Sequence, residues 1–376
     1  MNTNKVFARF FNFFRRYQVR QNRITLIEKL NTSGTGSLYE LQKECRRRGF
    51  DFEYNVITQA DYAVKLSNLP GLLRLFTRKV YRMATSSHVF MNDNFLPLAY
   101  MNVAPETRVI QLWHGMGSFK KFGGSSETDP ALLQELKAAN ENVDYILATS
   151  ENIRANYAEA FCVPEDKILV IGCPQGDYYF RKHNLAPSRA KLEKWFPALK
   201  GKKLALYAPT FRDDEDRDRD LLTHFDFERF NKELGEEYCL ALRLHPQVRT
   251  ADIPENVVNL TDYPNLRRLL CMTDLLIADY SSIAVEYSLL GKPIVFYAFD
   301  KDWYLEKDRQ FYFDYEETAP GPIMETMEDL ISCIRSEGWD LDKVEAFAHL
   351  HNDFFDCHSA ERLVDFCFGD RAKEEL

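Results

Sequence analysis

From residue 23 onward, short apolar runs alternate with stretches of helical periodicity. RITLIEKL (23–30), HVFMND (88–93), RVIQLW (108–113), DYILATS (144–150) and KILVIGCP (167–174) form a first set. Apolar runs of this length, closed by turn residues and separated by helical patterns, predict βα units around a parallel sheet covered on both faces. The polar, proline-containing segment NLAPSRAKLEKWFPALKGKK (184–203) interrupts the alternation. It resumes with KLALYAPTF (203–211), YCLALRLHP (238–246), NVVNLT (256–261), DLLIADYSS (274–282) and KPIVFYAFD (292–300). The pattern therefore predicts an α/β chain of two Rossmann-like domains, 23–187 and 188–376, with a cleft between them. The last helical stretch, DCHSAERLVDFCFGD (356–370), is placed to cross back onto the first domain.

The first 22 residues have a different pattern. Phe7, Phe10, Phe11 and Phe14 recur at helical spacing, with Lys5, Arg9, Asn12 and Arg16 on the opposite face. A second stretch, LPGLLRLFTRKVYRM (69–83), puts Leu69, Leu72, Leu73, Phe76 and Val80 on one face among Arg74, Arg78, Lys79 and Arg82. Aromatic and aliphatic stripes flanked by arginines suit an anionic membrane surface, and Phe7, Phe10, Phe11, Phe14, Leu72 and Phe76 are the expected contacts. The competing expectation is that the phenylalanine stripe docks on the protein's own body.

Composition narrows the function. Of 376 residues, 45% are hydrophobic and 14% aromatic, which suits a well-cored chain and excludes disorder as its main state. The net charge of −9 argues against nucleic acid as a partner, so a polyanionic ligand must meet a local basic patch. Eight cysteines without paired spacing read as reduced thiols of a cytoplasmic protein. With no apolar run of about 18 residues and no secretory leader, attachment to a membrane is expected to be peripheral, on its cytoplasmic face.

Chemistry-bearing residues collect where strands are expected to end, the edge at which open α/β sheets bind ligands. In VIQLWHGMGSFKKFGG (109–124) the expected strand runs to Trp113 and His114 emerges at its tip. Gly115 and Gly117 permit close backbone approach, and Lys120 and Lys121 add positive charge. His114 either takes the proton of an attacking hydroxyl or caps a turn. Arg243 and His245 end a second-domain strand, and Thr210 and Arg212 another; both pairs suit phosphate oxygens. DDEDRDRD (213–220) reads as a solvated loop rather than a metal site. In DLLIADYSSIAVEYSLLGKPIVFY, Ser281 and Ser282 head a helix predicted to run to Leu290, with Gly291 as its stop; the hydroxyls either cradle a phosphate or act as caps. Dinucleotide, P-loop and serine-hydrolase motifs are absent, and no cofactor or metal is expected.

Together QLWHGMGSFKKFG, YAPTFRD, RLHP, DYSSIAVEYSLLGKPIVFY and FYFDYEETAPGPI closely resemble the CDP-glycerol glycerophosphotransferases of teichoic acid synthesis, from about residue 85 to 365. The resemblance implies a GT-B fold with the donor held mainly by the second domain. It also implies transfer of glycerol phosphate from CDP-glycerol to a hydroxyl of a lipid-linked acceptor, with release of CMP. By this resemblance His114 is the general base and His245, with Arg243, stabilises charge on the pyrophosphate. Gly115, Gly117, Ser118, Thr210, Arg212, Ser281, Ser282, Glu316 and Glu317 hold the donor. The family's H-G-T-P-L-K appears here as His114-Gly115-Met116-Gly117-Ser118-Phe119-Lys120. Its G-x-P-R-N-D appears as Gly172-Cys173-Pro174-Gln175-Gly176-Asp177, without the arginine, and D-G-x-x-S-x-R as Asp356-Cys357-His358-Ser359-Ala360-Glu361-Arg362. The chain's length, without a long extra N-terminal region, favours priming or single addition. The alternatives are a CDP-ribitol donor, a nucleotide-sugar glycosyltransferase or epimerase on the same fold, and a non-catalytic protein that binds anionic polymer or lipid.

Overall fold

The apolar runs do form parallel strands. The first sheet contains β1 (Arg20–Glu28), β2 (Glu53–Thr58), β3 (Ser86–Met91), β4 (Arg108–Gln111), β5 (Tyr145–Ala148) and β6 (Ile168–Val170), in the order β2-β1-β3-β4-β5-β6. The second contains β7 (Lys203–Tyr207), β8 (Tyr238–Leu242), β9 (Val258–Asn259), β10 (Leu275–Ala278), β11 (Ile294–Tyr297) and β12 (Ile323–Met324), in the order β12-β11-β10-β7-β8-β9. Every pairing between these strands is parallel. These are the two Rossmann-like parallel sheets that the alternation predicts, in keeping with the GT-B fold that the family resemblance implies. The computed structural model describes residues 3–29, 35–62, 68–245, 248, 253–254, 257–308 and 310–369.

Two units result. The first comprises the chain up to Met116, Phe122–Tyr178 and the stretch from Asp353 onward; the second comprises Gly117–Lys121 and Tyr179–Asn352. The observed division thus falls after Tyr178, ahead of the polar break at 188. In the first unit Ile24, Leu26, Phe90 and Ile110 of the sheet pack against Leu38 and Leu41 of the helix Ser37–Arg47. Leu363, Val364 and Phe368 of the terminal helix Ser359–Phe368 join them. In the second unit Tyr207, Leu240, Ile277 and Val295 meet Phe227, Phe230, Leu330 and Ile334.

Differences from the expected elements have local causes. β2 carries a buried Asn55, whose amide donates to Thr25 Oγ1 and the Lys79 carbonyl, both at 3.0 Å; an inward polar residue breaks the apolar signature. β12 is two residues long. β4 stops at Gln111 rather than Trp113, because the Gln111 side chain accepts the Trp113 N–H at 2.9 Å and Trp113 takes φ 56°. DDEDRDRD contains the short helix Glu215–Asp220, capped by Asp214 through the Arg217 N–H. The helix headed by Ser282 ends at Ser288, and Gly291 follows with φ 60°.

The largest correction concerns the N-terminal helix Thr3–Phe14. Phe7 and Phe11 are 1% and 2% exposed, so they are core residues and not membrane contacts. Phe7 meets Phe76 and Phe95 with ring centroids 6.2 and 5.4 Å apart, Phe10 lies 5.0 Å from Phe76, and Phe14 lies 5.5 Å from Tyr81. An inward-facing aromatic stripe gains more apolar burial on its own unit than a row of isolated side chains would retain at the surface. Leu72 and Phe76 are half-buried. Phe10 and Phe13 remain exposed at 40% and 53%, and Leu69 and Leu73 at 69% and 64%. No helix among the described residues is long and apolar enough to cross a membrane.

His351, at the end of the helix Leu341–His351, lies in the second unit's interior with Phe119 and Phe347 rings 6.5 and 4.5 Å away. Its Nδ1 accepts the Ser118 N–H at 3.4 Å, and burial pushes the imidazole down to about 3. The unfolded chain, with an ordinary histidine near 6.5, therefore binds the proton first. Stability is complete above about pH 6.5 and falls as the pH drops towards 3, by up to about 1.4 kcal/mol per pH unit. Thermal unfolding between about pH 7 and 5 is expected to show this slope, and His351→Gln to flatten it; an unchanged slope in the variant would assign it elsewhere.

Candidate functional site

In the first unit the strained turn at Trp113 sends His114 out of the strand direction. The residue is exposed, and its Nδ1 lies 3.1 Å from the carbonyl oxygen of Asn92, which follows β3. A carbonyl only accepts, so the neutral ring carries its proton on Nδ1 and its lone pair on Nε2, the tautomer a general base requires. The Trp113 and His114 rings lie 4.0 Å apart, further restricting the imidazole. A non-glycine residue at positive φ beside a candidate base is where backbone strain is commonly kept.

The altered motif around Gln175 explains itself here. Gln175 Nε2 donates to the His114 carbonyl at 2.8 Å, and Tyr157 Oη donates to that of Gly115 at 3.4 Å. A Cβ at Gly176 would stand 2.7 Å from Met116 Cε, so a bulky methionine in one motif is matched by glycine in the other. Asp177 caps the terminal helix, accepting the N–H groups of Ser359 and Ala360 at 2.9 and 3.0 Å. Arg362 pairs with Asp356 through two bonds of 2.9 and 3.0 Å and donates to the Ile171 carbonyl. The Asp356, Ser359 and Arg362 positions thus brace this loop, and no substrate role follows from their geometry.

Within the second unit the strand order reverses between β7 and β10, the point where open sheets leave a crevice at their carboxyl edge. Thr210 and Asp279 stand there. Asp279 accepts the Thr210 N–H at 2.9 Å and its hydroxyl at 2.7 Å. Arg212 is buried: Nη1 donates to Asp279 at 3.0 Å and to the Thr210 carbonyl at 2.6 Å, while Nε and Nη2 clasp Asp300 at 2.8 and 3.0 Å. Burial alone would lower the guanidinium's pKa; the two carboxylates reverse this and hold it raised. Tyr280 donates to Asp300 at 3.0 Å and stacks on Tyr304 at 3.7 Å, and Lys120 Nζ reaches Tyr304 Oη at 3.2 Å. Arg212, expected on donor phosphate, is therefore occupied in tying strand ends together, and the Thr210 hydroxyl likewise faces inward.

The remaining expected residues are distributed as follows. His245 is exposed, its ring 4.9 Å from that of Phe211. Arg243 donates to the carbonyls of Leu260 and Tyr263 at 2.8 and 3.2 Å, and burial lowers its pKa. Ser281 Oγ accepts the Ile283 N–H at 3.4 Å, and Ser282 is exposed at the helix start without a side-chain cap bond. Glu316 pairs with Lys301 at 2.7 Å; Glu317, one residue on, is exposed, with its N–H on Asp314. Ser118 and Gly117 are buried. Gly117 has φ 67°, and a Cβ there would stand 2.8 Å from Val285 Cγ1 and 3.0 Å from His351 Cβ, so only glycine fits. Asn92, Gln111, Asp279 and Asp300 were not singled out from the sequence. The Asp279-Tyr280 pair immediately before the two serines was the available signal, whereas Asn92 acts through its backbone and left none.

The family described as CDP-Glycerol:Poly(glycerophosphate) glycerophosphotransferase matches residues 9–369. The chain is 32% identical to a teichoic acid poly(ribitol-phosphate) polymerase of Bacillus spizizenii over 368 residues, 94% of this chain and 57% of the polymerase. It is 36% identical over 304 residues to a teichoic acid ribitol-phosphate primase of the same organism, 78% of each. Its fold matches a variant of the wall teichoic acid polymerase TagF with a TM-score of 0.81 at 22% identity, covering 99% of this chain and 94% of that one.

Replacing Arg212 with methionine leaves two buried carboxylates without their cation and is expected to destabilise the protein by about 3–5 kcal/mol. Thermal and denaturant unfolding check this. A variant that unfolds like the parent would mean that the guanidinium serves a ligand rather than the strand ends.

Proposed function

Because the chain belongs to the CDP-glycerol:poly(glycerophosphate) glycerophosphotransferase family, we propose that it moves an alditol phosphate from a CDP-alditol to a hydroxyl of a lipid-linked acceptor in teichoic acid synthesis. The acceptor oxygen forms a bond to the phosphorus that carries the alditol. The bond from that phosphorus to the bridging oxygen breaks, and CMP leaves with the bridging oxygen. The observation that carries this reading is the 3.1 Å contact of His114 Nδ1 with the Asn92 carbonyl, which can only accept and so assigns the ring proton to Nδ1 and the acceptor's proton to Nε2. His245 and the Ser281–Ser282 turn are assigned to charge on the donor's phosphates. Arg243 positions the strand end beneath His245 through its two carbonyl contacts.

Glycerol is the first donor polyol on the motifs. Ribitol is the second reading, favoured by the similarity to ribitol-phosphate enzymes. Contact with an anionic membrane surface on its cytoplasmic side is assigned to Phe10, Phe13, Leu69 and Leu73, flanked by Arg9, Arg16, Arg74 and Arg78.

CMP release is the test, with a lipid-linked disaccharide in anionic vesicles and CDP-glycerol or CDP-ribitol as donor. Turnover with one donor is expected, reduced on the order of a hundred- to ten-thousand-fold by His114→Ala. Phe13→Ser with Leu73→Ser is expected to reduce it only when the acceptor is in vesicles. No CMP from either donor would refute the reading.

A further inference from the structure

In the first unit, the turn Leu96–Tyr100 and the helix Pro130–Glu141 flank an open, solvent-facing cavity of about 570 Å³ that the proposed reaction leaves without a role. Its walls include Ala99, Tyr100, Asp129, Gln134 and Glu135, and its volume falls in the range of small-ligand sites. Glu135 is held in place: Asn4 Nδ2 donates to its Oε1 at 3.0 Å, and the Tyr100 hydroxyl hydrogen-bonds to it. Asp129 accepts the Ala131 N–H at 2.8 Å through one oxygen. The Lys5 ammonium stands over the Tyr100 ring, 5.2 Å from its centre.

The donor set selects a ligand class. Two carboxylates and a primary amide, grouped round an aromatic ring, offer acceptors and a donor to adjacent hydroxyls and an apolar face to the C–H side of a sugar ring. None of the described lining residues is basic, and the two carboxylates oppose phosphate. Alanines 99, 131 and 138 leave the space such a ring needs.

Position adds a second argument. Leu96–Tyr100 lies on the connection leaving β3, the same connection whose Asn92 orients His114, and Pro130–Glu141 begins on the connection leaving β4, which carries His114. Asn4 and Lys5, which contact Glu135 and Tyr100, lie in the first turn of the helix whose Phe10 and Phe13 are exposed. A hydroxyl-rich group attached to a lipid is suited to such a location.

We propose that this cavity binds the neutral saccharide of the acceptor. The assignment rests on the phosphotransferase reading above and names the acceptor's chemistry: sugar hydroxyls rather than a run of polyol phosphates.

Saturation-transfer NMR on the full chain tests it directly, with N,N′-diacetylchitobiose as probe and glycerol 3-phosphate as competitor. Transfer to the disaccharide is expected, lost in Tyr100→Leu and weakened in Gln134→Ala, and unaffected by glycerol 3-phosphate. In the CMP assay both variants are expected to raise KM for a lipid-linked disaccharide about tenfold, equivalent to about 1.4 kcal/mol, with KM for the donor unchanged. Absent saturation transfer, displacement by glycerol 3-phosphate, or an unaltered acceptor KM in the correctly folded Gln134→Ala variant would overturn the proposal. Disaccharide binding through Tyr100 in a protein that releases no CMP would support the cavity's saccharide chemistry and refute the phosphotransferase reading instead.

Discussion

Parallel pairing is the constraint from which the rest follows. A parallel sheet is covered by helices on both faces, so its strands hold almost nothing but apolar side chains and polar chemistry is displaced to the strand tips. The second sheet of this chain obeys that rule, whereas the first departs from it in β1, β2 and β3, where Arg23, Thr25, Asn55, Ser86, Ser87 and His88 are buried within the strands. β10 and β11 are buried throughout, while Asp279 and Asp300 begin at their ends. β4 is buried from Val109 to Gln111, and His114 appears only after the chain has turned at Trp113. His114, Thr210, Asp279 and His245 stand just beyond the ends of β4, β7, β10 and β8, where the apolar strands leave off.

Packing charged groups at those tips requires its own solution. Arg212, Asp279 and Asp300 form a buried cluster with one positive and two negative charges, and every member is hydrogen-bonded several times. Such a cluster is costly to bury and specific once formed, because breaking one partner strands the others. Here it fastens the ends of β7, β10 and β11 to one another. The half-buried Ser281 and the exposed Ser282 follow directly on this cluster in the chain, so the proposed phosphate contacts start from a fixed strand end.

Much of this was legible in the sequence. Among the described residues the βα alternation revealed ten of the twelve strands, and the two it missed are β2, hidden by a buried asparagine, and the two-residue β12. The position of His114 and His245 just beyond β4 and β8 was legible because each follows an apolar run directly. Periodicity could not decide which side of the Thr3–Phe14 helix faces inward, since Phe7 and Phe10 differ only in what lies beneath them. Nor did residue type separate a ligand-binding arginine from a structural one: Arg212 looked like a phosphate contact until its two carboxylate partners, distant in sequence, were seen beside it. Contacts of that range leave no local trace.

The central claim is that a new bond forms between an acceptor oxygen and the alditol-bearing phosphorus of a CDP-alditol. Mass spectrometry of the lipid acceptor after incubation with CDP-glycerol or CDP-ribitol addresses it most directly. The account predicts a gain equal to one or more whole alditol phosphate units, matched by CMP in the same amount. An acceptor of unchanged mass, or one that gains a sugar from a nucleotide-sugar donor instead, would contradict it.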